Sequence, residues 1–189
     1  MGRINVLDKH VAELIAAGEV VERPASVLKE LVENSIDAGA TIITVEIKNG
    51  GISYMRITDN GCGIEPQDVP LAFLRHATSK IKSGEDLNSI STLGFRGEAL
   101  AAISSVARVE MLTKTNDSIS GTHYKIEGGT EIENSPSGCP DGTTIIIKDI
   151  FYNTPARMKF LKKDVSEANA CAGVVDRIAL SHPEISFKF

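Results

Sequence analysis

The sequence has little cysteine and no excess of positive charge. Its three cysteines, Cys62, Cys139 and Cys171, are too few and too scattered for a disulfide framework, and none forms a Cys-x-x-Cys pair. The absence of such a pair argues against zinc-ribbon and thioredoxin-type sites. With 25 acidic and 20 basic residues the net charge is -5. The chain as a whole is therefore not a strongly basic nucleic-acid module, although a local basic patch remains open.

Long apolar runs are also missing. No stretch is long enough to cross a membrane, and the first residues lack the hydrophobic region of a signal peptide. Val6 stands where an N-myristoylation signal has Ser or Thr. From these absences we expect a reduced, cytoplasmic protein with no membrane among its partners.

The composition that is present is ordinary for a globular domain. Hydrophobic residues make up 42% and charged residues 24% of 189 residues. A chain of this length can bury a hydrophobic core that is stable without disulfide bonds or a structural metal. Periodicity predicts helices over 8–17, from Pro24 to a cap at Gly39, and over 66–74, 98–106, 156–161 and 165–180. It predicts strands over 41–47, 52–58, 108–113, 122–126 and 143–147, a loop over 75–97 and a Gly/Pro-rich connection over 134–142. The sum is an α+β fold, a two-layer sandwich with a mixed, largely antiparallel sheet.

The first group of candidate functional residues lies on the helix that begins near Pro24. Glu30, Asn34 and Asp37 stand at i, i+4 and i+7, which places them in one polar stripe, opposite an apolar face. A carboxylate with an amide one turn away can activate a water and ligate a hard cation such as Mg²⁺. The alternative is the solvated face of an ordinary amphipathic helix.

A second group follows the strand over 52–58. Asp59 is a candidate buried acceptor for an exocyclic amino group such as that of adenine, and Gly61 and Gly63 would let backbone approach a ligand closely. Thr143, at the start of another strand, could place its hydroxyl beside Asp59. The competing interpretation is a pair of simple turns.

A third group surrounds the predicted loop over 75–97. Gly94 and Gly97 precede a helix whose free N–H groups would favour phosphate, and Thr78, Ser79 and Lys80 offer hydroxyls and a positive charge. A plain glycine-containing loop is the alternative. The P-loop pattern Gly-x-x-x-x-Gly-Lys-Ser/Thr is absent, which excludes the common P-loop NTPases.

Other features suggest no further chemistry. The histidines have no metal-ligand spacing, and no Gly-x-Ser-x-Gly motif suggests acyl transfer. Four basic residues between 157 and 163 could touch a phosphodiester backbone, but a solvated helix face is the better explanation. They are Arg157, Lys159, Lys162 and Lys163.

Taken together and in order, the motifs resemble the Bergerat ATP-binding fold of the GHKL superfamily and, more specifically, the MutL family of DNA mismatch-repair proteins. The resemblance covers essentially the whole chain. The segments that carry it are 15–24 (IAAGEVVERP), 29–35 (KELVENS), 59–64 (DNGCGI), 76–80 (HATSK), 94–100 (GFRGEAL) and 151–157 (FYNTPAR).

The resemblance implies roles for matching positions. Glu30 resembles the general base that activates the attacking water, and Glu33, off the polar stripe, is a rival for that role. Asn34 resembles the residue that holds Mg²⁺, and Asp59 the residue that reads adenine. The implied cofactors are ATP and Mg²⁺. The implied ATP-binding residues are Asn34, Ala38, Asp59, Gly63, Thr78, Ser79, Lys80, Gly94, Phe95, Arg96, Gly97, Ala99, Leu100 and Thr143.

The resemblance also implies how the chain is organised and what it meets. Residues 1–189 would form one ATP-binding domain, with an N-terminal arm over 1–20 and an ATP lid over 75–100. The chain would stop before a transducer domain whose lysine reaches the γ-phosphate, so we expect slow, Mg²⁺-dependent ATP hydrolysis that is weak in this piece alone. The implied partners are a second copy on ATP binding, the mismatch-recognition protein MutS, downstream repair enzymes and DNA at a local basic patch.

Three alternatives stay open. A histidine kinase would need a phosphoacceptor helix upstream, which the sequence does not show. Hsp90 and gyrase subunits are relatives, but the segments 94–100 and 151–157 fit neither well. A nucleotide-sensing scaffold without turnover is the non-enzymatic alternative, against which Glu30 and Asn34 argue.

Overall fold

The computed structural model describes residues 5, 6, 8, 15, 17, 18, 20–78 and 97–189. Within them lie four helices: α1 (Pro24–Asp37), α2 (Ala99–Val106), α3 (Pro155–Met158) and α4 (Asp164–Ser181). The strands are β1 (Ile42–Lys48), β2 (Tyr54–Asp59), β3 (Arg108–Lys114), β4 (Gly121–Glu127), β5 (Thr130–Ser137), β6 (Gly142–Lys148) and β7 (Ser186–Lys188). Short 3₁₀ turns lie at Asn49–Gly51 and Leu71–Phe73.

The strands form one mixed sheet in the order β5-β4-β3-β6-β2-β1-β7. Neighbours run antiparallel except β1 and β7, which pair in parallel. The predicted hairpin of β1 and β2 is present, with Ile43 opposite Asp59. The expected α+β fold with a largely antiparallel sheet is confirmed.

One face of the sheet packs against the helices. Alternate residues of β1, β2, β3, β4 and β6 point to this inner face and meet the apolar sides of α1, α2 and α4 in one core. Leu28, Leu31 and Val32 of α1 are almost fully buried there, and burying a side chain of this size contributes about 2 kcal/mol. The core therefore fixes α1 across the sheet, and with it every polar side chain that α1 carries.

The inner face changes from apolar to polar at one end. The registers place Asp59 of β2 opposite Thr143 of β6, Thr143 opposite Thr113 of β3, and Thr113 opposite Thr122 of β4. The next row of the same face is wholly apolar and consists of Val45, Ile57, Ile145, Met111 and Tyr124. The four polar residues form what we call the polar row, and they lie where α1 ends.

Two sequence predictions about local structure are wrong. Residues 66–74 form no continuous helix: Pro70 lacks an N–H and its ring obstructs the preceding turn, so only the 3₁₀ turn at Leu71–Phe73 forms. Part of the connection predicted over 134–142 belongs to β5, whose Pro136 is tolerated because β5 is an edge strand.

The other predicted elements lie within a few residues of the observed ones. Helix α1 begins at Pro24 and is followed by Gly39 at φ 75°, as its sequence predicts. Of the predicted helix over 8–17 only residues 8, 15 and 17 are described, and 15 and 17 are helical. Most of the predicted loop over 75–97 falls outside the described residues. Among the helices of the described part, none is long and apolar enough to span a bilayer.

Candidate functional site

Asp59 ends β2 and continues the alternation that buries Met55 and Ile57. Its side chain therefore points inward, and the residue is only 8% exposed. Oδ1 accepts hydrogen bonds from the backbone amides of Gly61 at 2.9 Å and Thr143 at 3.3 Å. Oδ2 accepts one from the Ser35 hydroxyl at 2.8 Å.

Among the described residues, no cation contacts the Asp59 carboxylate. Burial raises the pKa of its carboxyl above the usual value, and the hydrogen bonds from Gly61, Ser35 and Thr143 oppose that rise. All three donors are neutral. A buried carboxylate in this state gains from any further donor that reaches it, which makes Asp59 the strongest ligand-binding candidate among the described residues.

Close backbone approach builds the walls around Asp59. Gly142 has φ +101°, and a Cβ there would lie 2.2 Å from the Asp59 carbonyl oxygen. Gly63 has φ +71°, and a Cβ there would lie 2.2 Å from the Lys114 carbonyl oxygen. Both positions require glycine. The contacts that require it are with the chain's own backbone, so they carry no argument about a ligand.

Ser35 was missed by the sequence reasoning. It was placed with the apolar side of α1, where it is indeed buried, at 4% exposure. Its hydroxyl lies 3.2 Å from the Leu31 carbonyl oxygen as well as 2.8 Å from Asp59 Oδ2. The available signal was a hydroxyl within an otherwise apolar stripe, facing a strand that ends in a carboxylate.

Thr143 and Thr113 extend the site along the polar row. Thr143 reaches Asp59 through its backbone amide, whereas its hydroxyl lies 3.0 Å from the Thr113 hydroxyl. Thr113 also accepts a hydrogen bond from the Ile64 amide at 3.0 Å, which ties the loop after Asp59 to β3. Thr113 was not predicted as a site residue. The signal for it was a polar inward position at the same end of each neighbouring strand.

Glu30 and Asn34 lie one turn apart on α1, as predicted, and both are partly exposed. Asn34 directly precedes Ser35, so α1 brings the polar stripe close to Asp59 and its hydrogen-bond partners. Lys29 contacts Glu33 at 2.7 Å and Glu30 only at 3.8 Å. Glu33 is thus held by a cation, while the Glu30 carboxylate is the less engaged of the two.

The chain on either side of residues 79–96 is joined. The His76 amide donates to the Gly97 carbonyl oxygen at 3.0 Å, and Glu98 lies 3.3 Å from the His76 ring and 3.9 Å from Arg75. Thr78 lies directly before residues 79–96, and Gly97, Ala99 and Leu100 lie after them. The first turn of α2 receives no hydrogen bond from a capping side chain. The predicted site residues Ser79, Lys80, Gly94, Phe95 and Arg96 lie outside the described residues.

The donor set suits magnesium only with help from a ligand. Across residues 20–78 and 97–189, with the few earlier described positions, no group of three His, Cys, Asp or Glu side chains could hold a metal. Asn34 offers one hard amide oxygen. Mg²⁺ commonly takes one or two protein ligands and completes its shell with phosphate oxygens and water. Asn34 therefore fits a magnesium ion that arrives with a nucleotide.

Two surface grooves lie away from these residues. One, of about 370 Å³, runs between α1 and α4, and the other, of about 520 Å³, follows the edge of β1 beside Phe189. Neither is lined by Glu30, Asn34, Asp59 or Thr143. Of the basic cluster, Lys159, Lys162 and Lys163 are exposed, and Arg157 lies over the Phe151 ring.

Comparison with known families agrees with this geometry. Residues 22–136, more than half of the chain, match the family described as histidine kinase-, DNA gyrase B- and HSP90-like ATPases. The match spans α1 and three members of the polar row, Asp59, Thr113 and Thr122. It ends within β5, before Thr143.

Individual proteins are similar over the whole chain. The DNA mismatch repair protein MutL of Agathobacter rectalis is 62% identical over 189 residues, and that of Caldanaerobacter subterraneus subsp. tengcongensis is 56% identical. The chain spans only 29% and 32% of these two proteins. Among solved structures, the Aquifex aeolicus MutL ATPase domain complexed with ADP is 32% identical with a TM-score of 0.69, covering 89% of this chain and 59% of that one. The N-terminal domain of a DNA repair protein has a TM-score of 0.78 at 29% identity, covering 93% and 50%.

Proposed function

Since the chain belongs to the family of histidine kinase-, DNA gyrase B- and HSP90-like ATPases, we propose that it is the ATP-binding and ATP-hydrolysing part of a MutL-type DNA mismatch-repair protein. The 62% identity to a mismatch-repair MutL over every residue of the chain supports the repair role. The observation that carries nucleotide binding is the buried Asp59 carboxylate, to which the described residues supply three neutral donors and no cation.

We assign Asp59 to the adenine. An ionised carboxylate only accepts hydrogen bonds, and the 6-amino group of adenine donates them. We assign Gly63, Ala38 and Thr143 to the lining of the same base pocket, and the hydrogen bond from the Thr143 amide to Asp59 Oδ1 supports this for Thr143. A buried acceptor discriminates strongly against a purine that brings another acceptor to the same place, because two buried acceptors would then face each other unpaired.

We assign hydrolysis to the polar stripe of α1. Glu30 is the general base that orients and deprotonates the attacking water, and Asn34 contributes an oxygen to Mg²⁺. Bound Mg²⁺ would neutralise charge on the phosphate oxygens. Glu30 suits the base role better than Glu33, because Lys29 lies 2.7 Å from Glu33 and stabilises its charge.

The remaining roles concern the protein to which the chain contributes. The segment 75–100, with Thr78, Ser79, Lys80, Gly94, Phe95, Arg96, Gly97, Ala99 and Leu100, is proposed as a lid over the triphosphate, and residues 1–20 as an arm. ATP would favour closure of two copies, in the cytoplasm, and so signal to MutS, to downstream repair enzymes and to DNA. A transducer domain following residue 189 would complete the site.

Nucleotide titration tests the proposal. The chain is titrated with ATP and GTP by calorimetry, with and without Mg²⁺. We expect ATP to bind more tightly than GTP, and Asp59→Ala to lose binding by at least about ten-fold, the usual effect of removing a charged hydrogen-bond partner. Asp176→Ala, an exposed aspartate of α4, is the matched control. Equal binding of ATP by Asp59→Ala and the unaltered chain would refute the adenine assignment.

Turnover needs a separate experiment on a chain extended through the next domain. Phosphate release is measured for that chain and for its Glu30→Ala and Glu33→Ala variants. We expect Glu30→Ala to bind ATP normally and lose turnover by about 10²-fold or more, and Glu33→Ala to keep turnover. Loss of turnover in Glu33→Ala alone would transfer the base role to Glu33, and no release by the extended chain would favour a nucleotide sensor.

A further inference from the structure

Ser35 occupies an unusual place between two acceptors. Its hydroxyl carries one proton, yet two oxygens lie within reach: Asp59 Oδ2 at 2.8 Å and the Leu31 carbonyl oxygen at 3.2 Å. Ser35 and Asp59 are both buried, so water does not supply an alternative donor easily. The position of that single proton therefore depends on the ionisation of Asp59.

Both ionisation states of Asp59 can be satisfied. When the carboxyl is ionised, Ser35 donates to Oδ2. When Oδ2 carries a proton, the carboxyl donates to the Ser35 oxygen and the serine hydroxyl turns to the Leu31 carbonyl. The first arrangement is a charge-assisted hydrogen bond and is the stronger one. Ser35 therefore stabilises Asp59 as an acceptor.

Resting on the proposed function, we propose that Ser35 is a positioning residue for base selection. It holds Asp59 in the acceptor state, and so favours a 6-aminopurine nucleotide over a 6-oxopurine nucleotide down to lower pH than the buried carboxyl alone would allow. A 6-oxo group is an acceptor and pairs with Asp59 only when the carboxyl is protonated. Base selectivity and proton uptake at Asp59 are thereby coupled through one hydroxyl.

The groups facing Asp59 leave few other causes for a pH effect. From α1 comes the Ser35 hydroxyl, from the loop after β2 the Gly61 amide, and from β6 the Thr143 amide. None of these titrates, and no charged side chain of the described part contributes to the raised pKa of Asp59. Removing the Ser35 hydroxyl removes the donor to Oδ2 and leaves burial less opposed, so the pKa of Asp59 rises further.

The experiment compares the pH dependence of ADP and GDP binding to the unaltered chain and to Ser35→Ala, by calorimetry between about pH 5 and pH 8.5. We expect ADP affinity of the two proteins to converge at the alkaline end. Toward the acid end Ser35→Ala should lose up to about ten-fold more ADP affinity, the equivalent of one charged hydrogen bond, and its preference for ADP over GDP should shrink. Ser35→Thr, which keeps the hydroxyl, should restore the profile.

Ser105→Ala is the matched control, because Ser105 is also buried in a helix and donates at 2.7 Å to the Ala102 carbonyl, with no carboxylate partner. Its pH profile should equal that of the unaltered chain. If Ser35→Ala does not fold, Ser35→Cys, with its weaker donor, should shift the profile in the same direction by less.

Two results would overturn the inference. A Ser35→Ala profile parallel to that of the unaltered chain at every pH would mean that the hydroxyl only packs. A shift that Ser105→Ala reproduces would mean that it reflects general loosening. If the unaltered chain binds neither ADP nor GDP at any pH, the proposed function fails, and this inference with it.

Discussion

Among the described residues, two carboxylates are buried in different ways. Glu167, near the start of α4, is 1% exposed and receives the Arg23 guanidinium at 2.9 and 3.1 Å on Oε2 and the Lys162 amide at 2.9 Å on Oε1. Asp59 is 8% exposed and receives one hydroxyl and two amides from that part of the chain. Within the described structure, Glu167 therefore has a countercharge and Asp59 does not.

The difference separates structure from function. Glu167 is complete, because the ion pair with Arg23 joins the first turn of α4 to the residue that precedes α1. The Asp59 carboxylate has no such ion pair among the described residues, and burial raises the pKa of its carboxyl. A buried charge without a countercharge is typical of functional sites, where a ligand gains from it. Opposite responses to substitution should reveal this contrast.

The largest effect is expected at Glu167. Glu167→Ala removes one partner of a buried ion pair and leaves Arg23 and the Lys162 amide without their acceptor. Because the Arg23 side chain is 31% exposed and can be rehydrated, we expect a loss of about 3 kcal/mol, the lower end for such pairs. For a domain of this size that lowers Tm by about 6–12 °C in thermal unfolding.

Glu184→Ala is the control for this prediction, since Glu184 pairs with His182 at 3.1 Å while 65% exposed. Its cost should stay below about 0.5 kcal/mol. Equal losses in the two variants would show that burial does not distinguish the ion pair of Glu167.

Asp59→Asn should have the opposite sign. The amide keeps the oxygen that faces Gly61 and Thr143, and its nitrogen can donate to the Ser35 oxygen, while the buried charge disappears. We expect urea unfolding at pH 7 to show a gain of up to about 1 kcal/mol, together with loss of ATP binding. A loss of stability comparable to that of Glu167→Ala would refute the contrast.

The pH dependence of that gain follows from the direction of the pKa shift. Because the pKa of Asp59 is raised in the folded state, the folded protein binds the Asp59 proton more tightly than the unfolded chain does. This contribution to stability is present below the unfolded pKa of 3.8 and is lost as pH rises through the folded pKa. The advantage of Asp59→Asn should therefore be full at neutral pH and vanish as pH falls below about 4. Paired unfolding curves from pH 3 to pH 7 measure it.

The fold was predictable where the hydrophobic periodicity of an element agrees with the proline and glycine residues at its ends. Pro24 and Gly39 bracket α1, and Asn49-Gly50-Gly51 separates two alternating runs that pair as β1 and β2. The failures were at prolines. Pro70 was placed inside a predicted helix, where the structure has only the 3₁₀ turn that follows it. Pro136 was placed in a predicted connection, yet it lies in an edge strand, a position set by neighbouring strands rather than by local sequence.

The candidate site was predictable only in part. Glu30, Asn34 and Asp59 were identified from spacing and from the family resemblance, and their roles stay predictions. Ser35 and Thr113 were not identified, because neutral hydroxyls in apolar patterns look like packing residues. Their significance depends on register, which places Thr113 and Asp59 on either side of Thr143. Register is a long-range property that a single strand does not display.

The smallest effect is expected at Glu33, which separates the effect of a countercharge from that of full burial. Glu33 has a cation partner, Lys29 at 2.7 Å, as Glu167 does, but the Glu33 side chain is 14% exposed and that lysine is 51% exposed. Water and salt screen such i,i+4 pairs, so Glu33→Gln should cost about 0.3–0.5 kcal/mol in urea unfolding, and less in high salt. A cost approaching that of Glu167→Ala would mean that a countercharge without full burial accounts for the stability of Glu167, and the contrast with Asp59 would then rest on the cation and not on the interior.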